Sequence, residues 1–340
     1  MSDYTHFDLS LDNDGVAWLA MDAKGRSVNV FAQDVMAELI AAVDEVVASA
    51  PSGFVFSSAK PRGFIFGADV NEFGLFATVA EIESHISEVL GCFAAIEALD
   101  CPSVILIDGI CVGGGFELAL AFDRIIAIDD GACQVGFPEI NLGLLPGYGG
   151  SVRAWERMGP ETALKLVLHG RSMKAREAFE ANAIDHLVAS RDDLAAAGRD
   201  AIAGRIARRP APQTADMAAV IEAERAALLA RTNPRNMPAP FGILDHYSVS
   251  EFHKNNMIAE ETKLFSKLML TPASIGMRRN FQLTDMVKKG GRGDHRVSHI
   301  HVIGAGTMGG DIAAVAAMAG FEVTLQDISS EAVQRAISRA

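Results

Sequence analysis

Two glutamates sit in settings framed by glycine or proline: Gly113-Gly114-Gly115-Phe116-Glu117 and Gly136-Phe137-Pro138-Glu139. A pair of positioned carboxyls can activate a water, one taking a proton as base while the other delivers a proton as acid. The glycines before Glu117 suit a helix start, where unpaired N–H groups and the positive end of the macrodipole point outward. Without Cβ atoms, that backbone lets a ligand carbonyl approach. Phe66-Gly67-Ala68-Asp69 is a second turn of this kind. Acid, base and backbone donors for a developing oxyanion are what chemistry beside a thioester carbonyl requires.

Each feature alone has an ordinary reading. The glycines could serve tight helix packing, Glu117 a solvated face, and Glu139 the first turn of a helix. The two acids are too far apart in the chain to share one helix face, so two elements must be brought together to present both. The co-occurrence of the motifs is what favours a site.

The elements that must position them follow from periodicity. Residues Phe7–Leu11 and Val16–Met21 alternate around Asp12-Asn13-Asp14-Gly15 and read as a hairpin. Val35, Met36, Leu39, Ile40, Val43, Val46 and Val47 recur at helical spacing, and Pro51-Ser52-Gly53 stops that helix. Residues 54–57 read as a strand, 79–99 as a helix, and 104–107 as the continuous apolar run of a buried strand. A helix over 113–122 and a strand over 125–128 follow. Helical patterns resume at 149–157, 161–168 and 174–181.

From 192 to 289 the chain reads as wholly helical, broken near Pro210-Ala211-Pro212 and across 233–240. Ser248-Val249-Ser250-Glu251 has the spacing of a capping box ahead of a long amphipathic helix carrying Phe252, Met257, Leu264 and Leu268. Gly290-Gly291-Arg292-Gly293 forms a joint. Beyond it, His299–Ile303 reads as a strand, 307–319 as a helix and Glu322–Gln326 as a strand.

Composition bounds the partners. At 340 residues there is room for about two domains. A net charge of −13 argues against a general nucleic-acid binder, which would carry a basic stripe, but leaves room for a small anionic ligand on a local basic patch. No run of about 18 or more apolar residues suggests a membrane span, and the first residues lack the apolar core of a signal peptide. Cys92, Cys101, Cys111 and Cys133 have apolar neighbours and no metal-type spacing, so they read as reduced thiols and the cytoplasm as the expected compartment. His295, His299 and His301 have no companions that would make a metal site, and Arg292-Gly293-Asp294 is taken as coincidence.

Three segments carry a resemblance: Gly63-Phe64-Ile65-Phe66-Gly67-Ala68-Asp69-Val70-Asn71-Glu72-Phe73, then Gly113 to Glu117, then Gly136-Phe137-Pro138-Glu139-Ile140-Asn141-Leu142-Gly143-Leu144-Leu145-Pro146-Gly147-Tyr148-Gly149-Gly150. In this order they resemble the enoyl-CoA hydratase/isomerase (crotonase) family over roughly residues 10–190. The resemblance implies an α/β fold, a spiral of ββα turns, and a coenzyme A thioester as substrate. It implies an oxyanion hole from the N–H groups of Ala68 and Gly114, with Glu117 and Glu139 as the catalytic acids. Having both glutamates favours hydration of a trans-2-enoyl-CoA to a 3-hydroxyacyl-CoA, with Δ3–Δ2 isomerisation as a side activity and no cofactor. Lys24, Arg26, Lys60 and Arg62 lie in loops where coenzyme A phosphates could be met, though a solvated surface charge is the plainer reading of each.

A last motif, Gly304-Ala305-Gly306-Thr307-Met308-Gly309, follows an apolar strand and opens a helix, and Asp327 lies roughly 20 residues further on. That is the Rossmann fingerprint: glycines for close approach, a helix N-terminus for pyrophosphate, an acid for the ribose. With it, the whole chain resembles the α-subunit of multifunctional fatty-acid β-oxidation complexes, a hydratase joined to an NAD-dependent 3-hydroxyacyl-CoA dehydrogenase, truncated early in the latter's domain. The expected organisation is a crotonase domain over 1–190, a helical linker over 191–296 and an incomplete Rossmann βαβ fragment over 297–340. One βαβ unit cannot cover both faces of a parallel sheet, so this fragment is expected to be poorly ordered or packed on the linker, and to bind NAD weakly or not at all. The resemblance further implies a thiolase partner or a homo-oligomer. Its alternatives are a coenzyme A-binding assembly subunit with little catalysis, or part of a dehydrogenase inactive in this form.

Overall fold

The computed structural model describes residues 3–61, 63–210, 216–249, 252–290 and 297–339. Compactness divides the chain into Met1–Gln282 and Leu283–Ala340.

The first unit is built on a six-stranded sheet. Its strands are β1 (Phe7–Leu11), β2 (Val16–Met21), β3 (Gly53–Ser58), β4 (Ser103–Ile107), β6 (Arg124–Ile128) and β9 (His186–Val188), in the order β1-β2-β3-β4-β6-β9. β1 and β2 pair antiparallel; every later pairing is parallel. A small second sheet holds β5 (Ile110–Val112), β7 (Gln134–Gly136) and β8 (Ser172–Lys174). The chain alternates between them: β4 runs into β5, and β6 into β7. Isolated bridges Phe31↔Ala68 and Ile65↔Cys111 extend the second layer. These are the ββα turns of a spiral.

Crossovers come from α1 (Gln33–Ser49) and α2 (Val79–Glu97). Thr78 accepts from Glu81 N and the Glu81 side chain answers the cap, a reciprocal box that starts α2. Both helices bury an apolar stripe on one face of the large sheet, over Phe54, Phe56, Phe64 and Phe122, whose rings meet at centroid distances of 5.4–6.0 Å. The other face, with Val55, Val104, Leu106, Ile126 and Val188, is covered by Leu194, Ala197 and Ala201 of α7 (Leu194–Ile202). Strands buried on both faces need continuous apolar sequence, which is why β3, β4 and β6 read so clearly.

α3 is a short helix, Gly114–Ala119, followed by turns instead of continuing to residue 122. Then come α4 (Gly150–Met158), α5 (Pro160–His169) and α6 (Ala175–Glu180) before β9 and α7. Beyond lie α8 (Met217–Leu229), α9 (Pro238–Tyr247), α10 (Lys254–Met269) and α11 (Pro272–Gly290). Residues 211–215, 250–251 and 291–296 lie outside the described residues, with most of the expected joint among them; the expected capping box is corrected, because Ser248 ends α9, its hydroxyl donating to Leu244 O at 2.7 Å, and α10 starts from His253. α9 packs on α5, and α10 on α2 and α4, so these helices share the core of the first unit. Trp155 of α4 stacks on Tyr247 of α9 at 5.3 Å.

In the second unit, β10 (His299–Ile303) and β11 (Glu322–Gln326) pair in parallel, joined by α12 (Thr307–Met318) and followed by α13 (Ser330–Arg339). These described residues form a regular β-α-β-α segment, a partial Rossmann unit. Its apolar residues are nonetheless uncovered, Ile303, Val315 and Ile328 among them.

Candidate active site

Gly113 turns the chain from β5 into α3 with φ +57°, a conformation suited to glycine, and its N–H donates to Gly136 O of β7 at 2.9 Å. α3 therefore begins against the second sheet, and Glu117, one turn in, is buried. The Oε1 of Glu117 accepts from Tyr148 N at 2.7 Å and Gly150 N at 2.9 Å. Glu139 opens a single 3₁₀ turn, Glu139–Leu142, directly after β7 and Pro138. Its residue is partly accessible, yet Oε2 is shut away from solvent and has no partner among the described residues.

Both carboxyls line one cavity of about 340 Å³. Phe66, Val70, Phe73, Leu142, Leu144 and Phe265 give it apolar walls. Burial in that setting pushes Glu117 up to about 7, against the pull of its two amide donors and of Arg153. Burial also drives Glu139 well above the ordinary carboxyl range, and the charges of Glu117 and then Glu261 push it further. The protons of this set belong to the coupled group rather than to single residues.

Ala68 and Gly114 line the same cavity. Among the described hydrogen bonds, none is donated by either N–H. The two turns adjoin: a Cβ on Gly67 would lie 3.1 Å from Val112 O and 3.6 Å from Gly114 N. Phe31 clamps the first turn, donating to Gly67 O at 2.8 Å and accepting from Asp69 N at 3.0 Å.

Of the basic residues considered for phosphate, Lys60 is turned inward. Its Nζ donates to Ala23 O and Arg26 O at 2.9 and 2.8 Å and pairs with Asp22. Arg26 pairs with Asp34 at 2.9 Å, and Lys24, which is exposed, pairs with Asp22. Arg62 lies outside the described residues.

Sequence reasoning missed the wall that the supposed linker contributes. Phe265 of α10 and Phe281 of α11 line the cavity. Glu261 of α10 is fully buried and accepts from Gly149 N at 2.6 Å and Ser151 N at 3.0 Å. A signal existed: Met257, Glu261, Phe265 and Leu268 fall in one helical phase, so an acid stands on an apolar stripe. A larger groove of about 690 Å³ along α9 and α10 holds neither Glu117 nor Glu139. Among the described residues no cluster of His, Cys, Asp or Glu could hold a metal, and no helix is long and apolar enough to cross a membrane. Cys92 and Cys133 are buried thiols pushed up to about 12 by burial.

The glycine motif of the second unit has the backbone a dinucleotide needs. Gly304 has φ +102°, and a Cβ on Gly309 would fall 1.7 Å from Gly304 O, so only glycine fits there. Gly306 caps α12, and Met308 in its first turn is exposed. Asp327, in contrast, is engaged by the loop: Oδ2 accepts from Ala305 N at 2.6 Å and Oδ1 from Ser329 N at 3.0 Å. The glycines fit NAD, and each Asp327 oxygen keeps a lone pair beyond the amide it accepts.

A ββα spiral that gathers two carboxyls and two backbone N–H groups, unpaired among the described residues, into an apolar cavity defines a crotonase-like protein. The chain belongs to the enoyl-CoA hydratase/isomerase family, which matches residues 12–259. Residues 299–340 match the NAD-binding domain of 3-hydroxyacyl-CoA dehydrogenase. Among solved structures, a carnitinyl-CoA dehydratase from Mycobacterium thermoresistibile is similar at TM-score 0.65 and 19% identity, covering 82% of this chain and 90% of that one. An enoyl-CoA hydratase from Bacillus halodurans has TM-score 0.59 and 16% identity, covering 81% and 100%. One from Mycobacterium avium subsp. paratuberculosis K-10 has TM-score 0.57 and 19% identity, covering 83% and 97%. At these identities the likeness to the solved structures is one of fold.

Proposed function

We propose that the chain adds water across trans-2-enoyl-CoA thioesters to give 3-hydroxyacyl-CoA, as a step of fatty-acid breakdown. The observation that carries this is the single cavity holding Glu117, Glu139 and the unpaired N–H groups of Ala68 and Gly114. The thioester oxygen is placed on those two donors. Ionised Glu117 takes a proton from water as the water oxygen bonds to C3. The C2=C3 electron pair moves toward the carbonyl, whose negative charge the two N–H groups stabilise; one such donor is typically worth about 3–4 kcal/mol. Protonated Glu139 delivers its proton to C2, and exchange with solvent restores both acids.

The upward shifts suit these roles. Glu139, driven well above the ordinary range, keeps a proton to give, while Glu117 at about 7 is substantially ionised near neutrality. Glu139 alone, moving a proton between C2 and C4, would supply the isomerase side activity. The 3-hydroxyacyl-CoA product is the substrate class of the dehydrogenase family matched by the second unit.

Glu117→Gln and Glu139→Gln, made separately, are each expected to lower kcat for crotonyl-CoA hydration by about 10²–10⁴-fold. Near-wild-type kcat in either variant refutes the two-acid assignment. Absence of hydration by the wild-type chain across C4 to C16 substrates favours the alternative, a coenzyme A-binding subunit of an assembly with a thiolase.

A further inference from the structure

Four successive backbone N–H groups, Tyr148 to Ser151, are divided between two buried carboxyls. Tyr148 N and Gly150 N donate to Glu117 Oε1. Gly149 N donates to Glu261 Oε1 and Ser151 N to Glu261 Oε2. The Ser151 hydroxyl donates to the same Oε2 and lies 3.0 Å from His246 Nε2. This run is the turn into α4, held from behind by Arg153, whose Nη1 donates to Tyr148 O at 2.7 Å. A buried acid is costly unless its oxygens are satisfied, and among the described residues Glu261 meets that need through this turn alone.

We propose that Glu261 is a positioning residue for the hydration reaction: by taking Gly149 N and Ser151 N it locks the turn whose alternate amides hold Glu117. The proposal rests on the hydration reading. Among the groups on the elements packed around Glu261, namely Glu117 of α3, Ser151 and Arg153 of α4, and His246 and Tyr247 of α9, it is Glu117, Ser151 and the Gly149 amide that act on its proton. Arg153 is engaged by Glu97 of α2 through two bonds of 3.0 Å, and Glu97 also takes Lys254 of α10. Burial pushes His246 down to about 4, so its ring is neutral near pH 7 and offers Glu261 no counter-charge. Tyr247 donates its hydroxyl to Ser151 O at 2.9 Å and stays protonated, burial holding it well above its usual range. Burial first, and the charge of Glu117 next, push Glu261 up to about 8. Once ionised, above about pH 8, Glu261 in turn helps to keep the proton on Glu139.

The test is Glu261→Gln in the full chain, read two ways. In crotonyl-CoA hydration, kcat is expected to fall about 10–100-fold with KM held within about twofold, because the Glu117 turn loosens. In δ-¹³C-glutamate NMR, with Glu139→Gln to assign the resonance, Glu139 is expected to lose its proton about one pH unit lower than in wild type. The alkaline limb of the rate profile should follow. Unchanged kcat overturns the proposal, and so does a lower kcat with an unmoved Glu139 titration, which marks mere packing. Should Glu261→Gln fail to fold, Ser151→Ala keeps all four amides and removes one donor to Glu261. A smaller downward shift of Glu139 is then expected, and no shift overturns the proposal. The NMR arm needs no turnover, so inactive wild-type chain would refute the hydration reading while leaving the role of Glu261 to be decided.

Discussion

The backbone of Gly113 lies directly beneath the carboxyl of Glu139: a Cβ at Gly113 would stand 2.8 Å from Glu139 Oε1. With φ at +57°, the same residue also releases the Gly114 N–H at the start of α3. A side chain there would displace the acid and strain the donor turn together. Gly113→Ala is expected to lower kcat for enoyl-CoA hydration by about 10²-fold or more. Circular dichroism should show the fold retained; wild-type turnover in this variant would disprove the arrangement.

The buried acids give stability a pH dependence of definite sign. Glu117 and Glu261, at about 7 and about 8, lie above the usual 4.5, so near neutrality the folded chain keeps protons that the unfolded chain releases. Their effect is a loss of stability as pH rises. His246 works oppositely: lowered from 6.5 to about 4, it adds stability as pH rises to about 6.5 and no more beyond. From about pH 6.5 to about 8 the acids therefore prevail. Urea midpoints should fall across that window, and Glu261→Gln should flatten the slope. A midpoint that climbs through the window contradicts this account.

Elsewhere in the first unit, a buried ion pair ties α4 to the strand-end loops. Arg157 donates to Asp185 at 2.9 and 3.0 Å, and Asp185 Oδ2 also accepts from Ile125 N at 2.7 Å, at the start of β6. Asp185→Ala leaves the Ile125 amide without its acceptor and a buried guanidinium without its counter-charge, held only by Phe122 O and Asp123 O at 3.3 Å among the described residues. The expected loss is about 3–5 kcal/mol in chemical denaturation. A loss below about 1 kcal/mol would show that water replaces the carboxylate.

For the second unit, the cost of ligand binding can be read from its surface. The glycine cradle is formed, but Asp327 already accepts from Ala305 N and Ser329 N, and the apolar residues Ile303, Val315 and Ile328 are uncovered. Isothermal titration of this chain with NAD is expected to show no binding at micromolar concentration. A micromolar Kd would refute this expectation.

The particular elements show where local sequence suffices. β1 and β2 were legible from their alternation about a turn, β3, β4 and β6 because strands covered on both faces demand apolar runs, and α1 and α2 because their stripes recur at 3.6 residues. The short strands β5, β7, β8 and β9 were not: three residues hold no period, and only their neighbours make them strands. Nor did local sequence show that α9 and α10 bury their apolar faces on α5, α2 and α4, within the compact unit that ends at Gln282.

The site divides the same way. Glycine spacing around Glu117, Glu139 and Ala68 is a local requirement for turns with positive φ and close approach, so the letters alone marked those positions and the dinucleotide cradle. What the letters could not say is which remote surfaces meet. Lys60 looked available to solvent and is spent on Ala23, Arg26 and Asp22. Glu261 looked like one acid among many on a helix and is sealed against Gly149 and Ser151, amides 110 or more positions away in the chain. Periodicity reveals that a face is apolar; only packing decides what covers it, and burial by that cover sets the proton affinity of the acids inside.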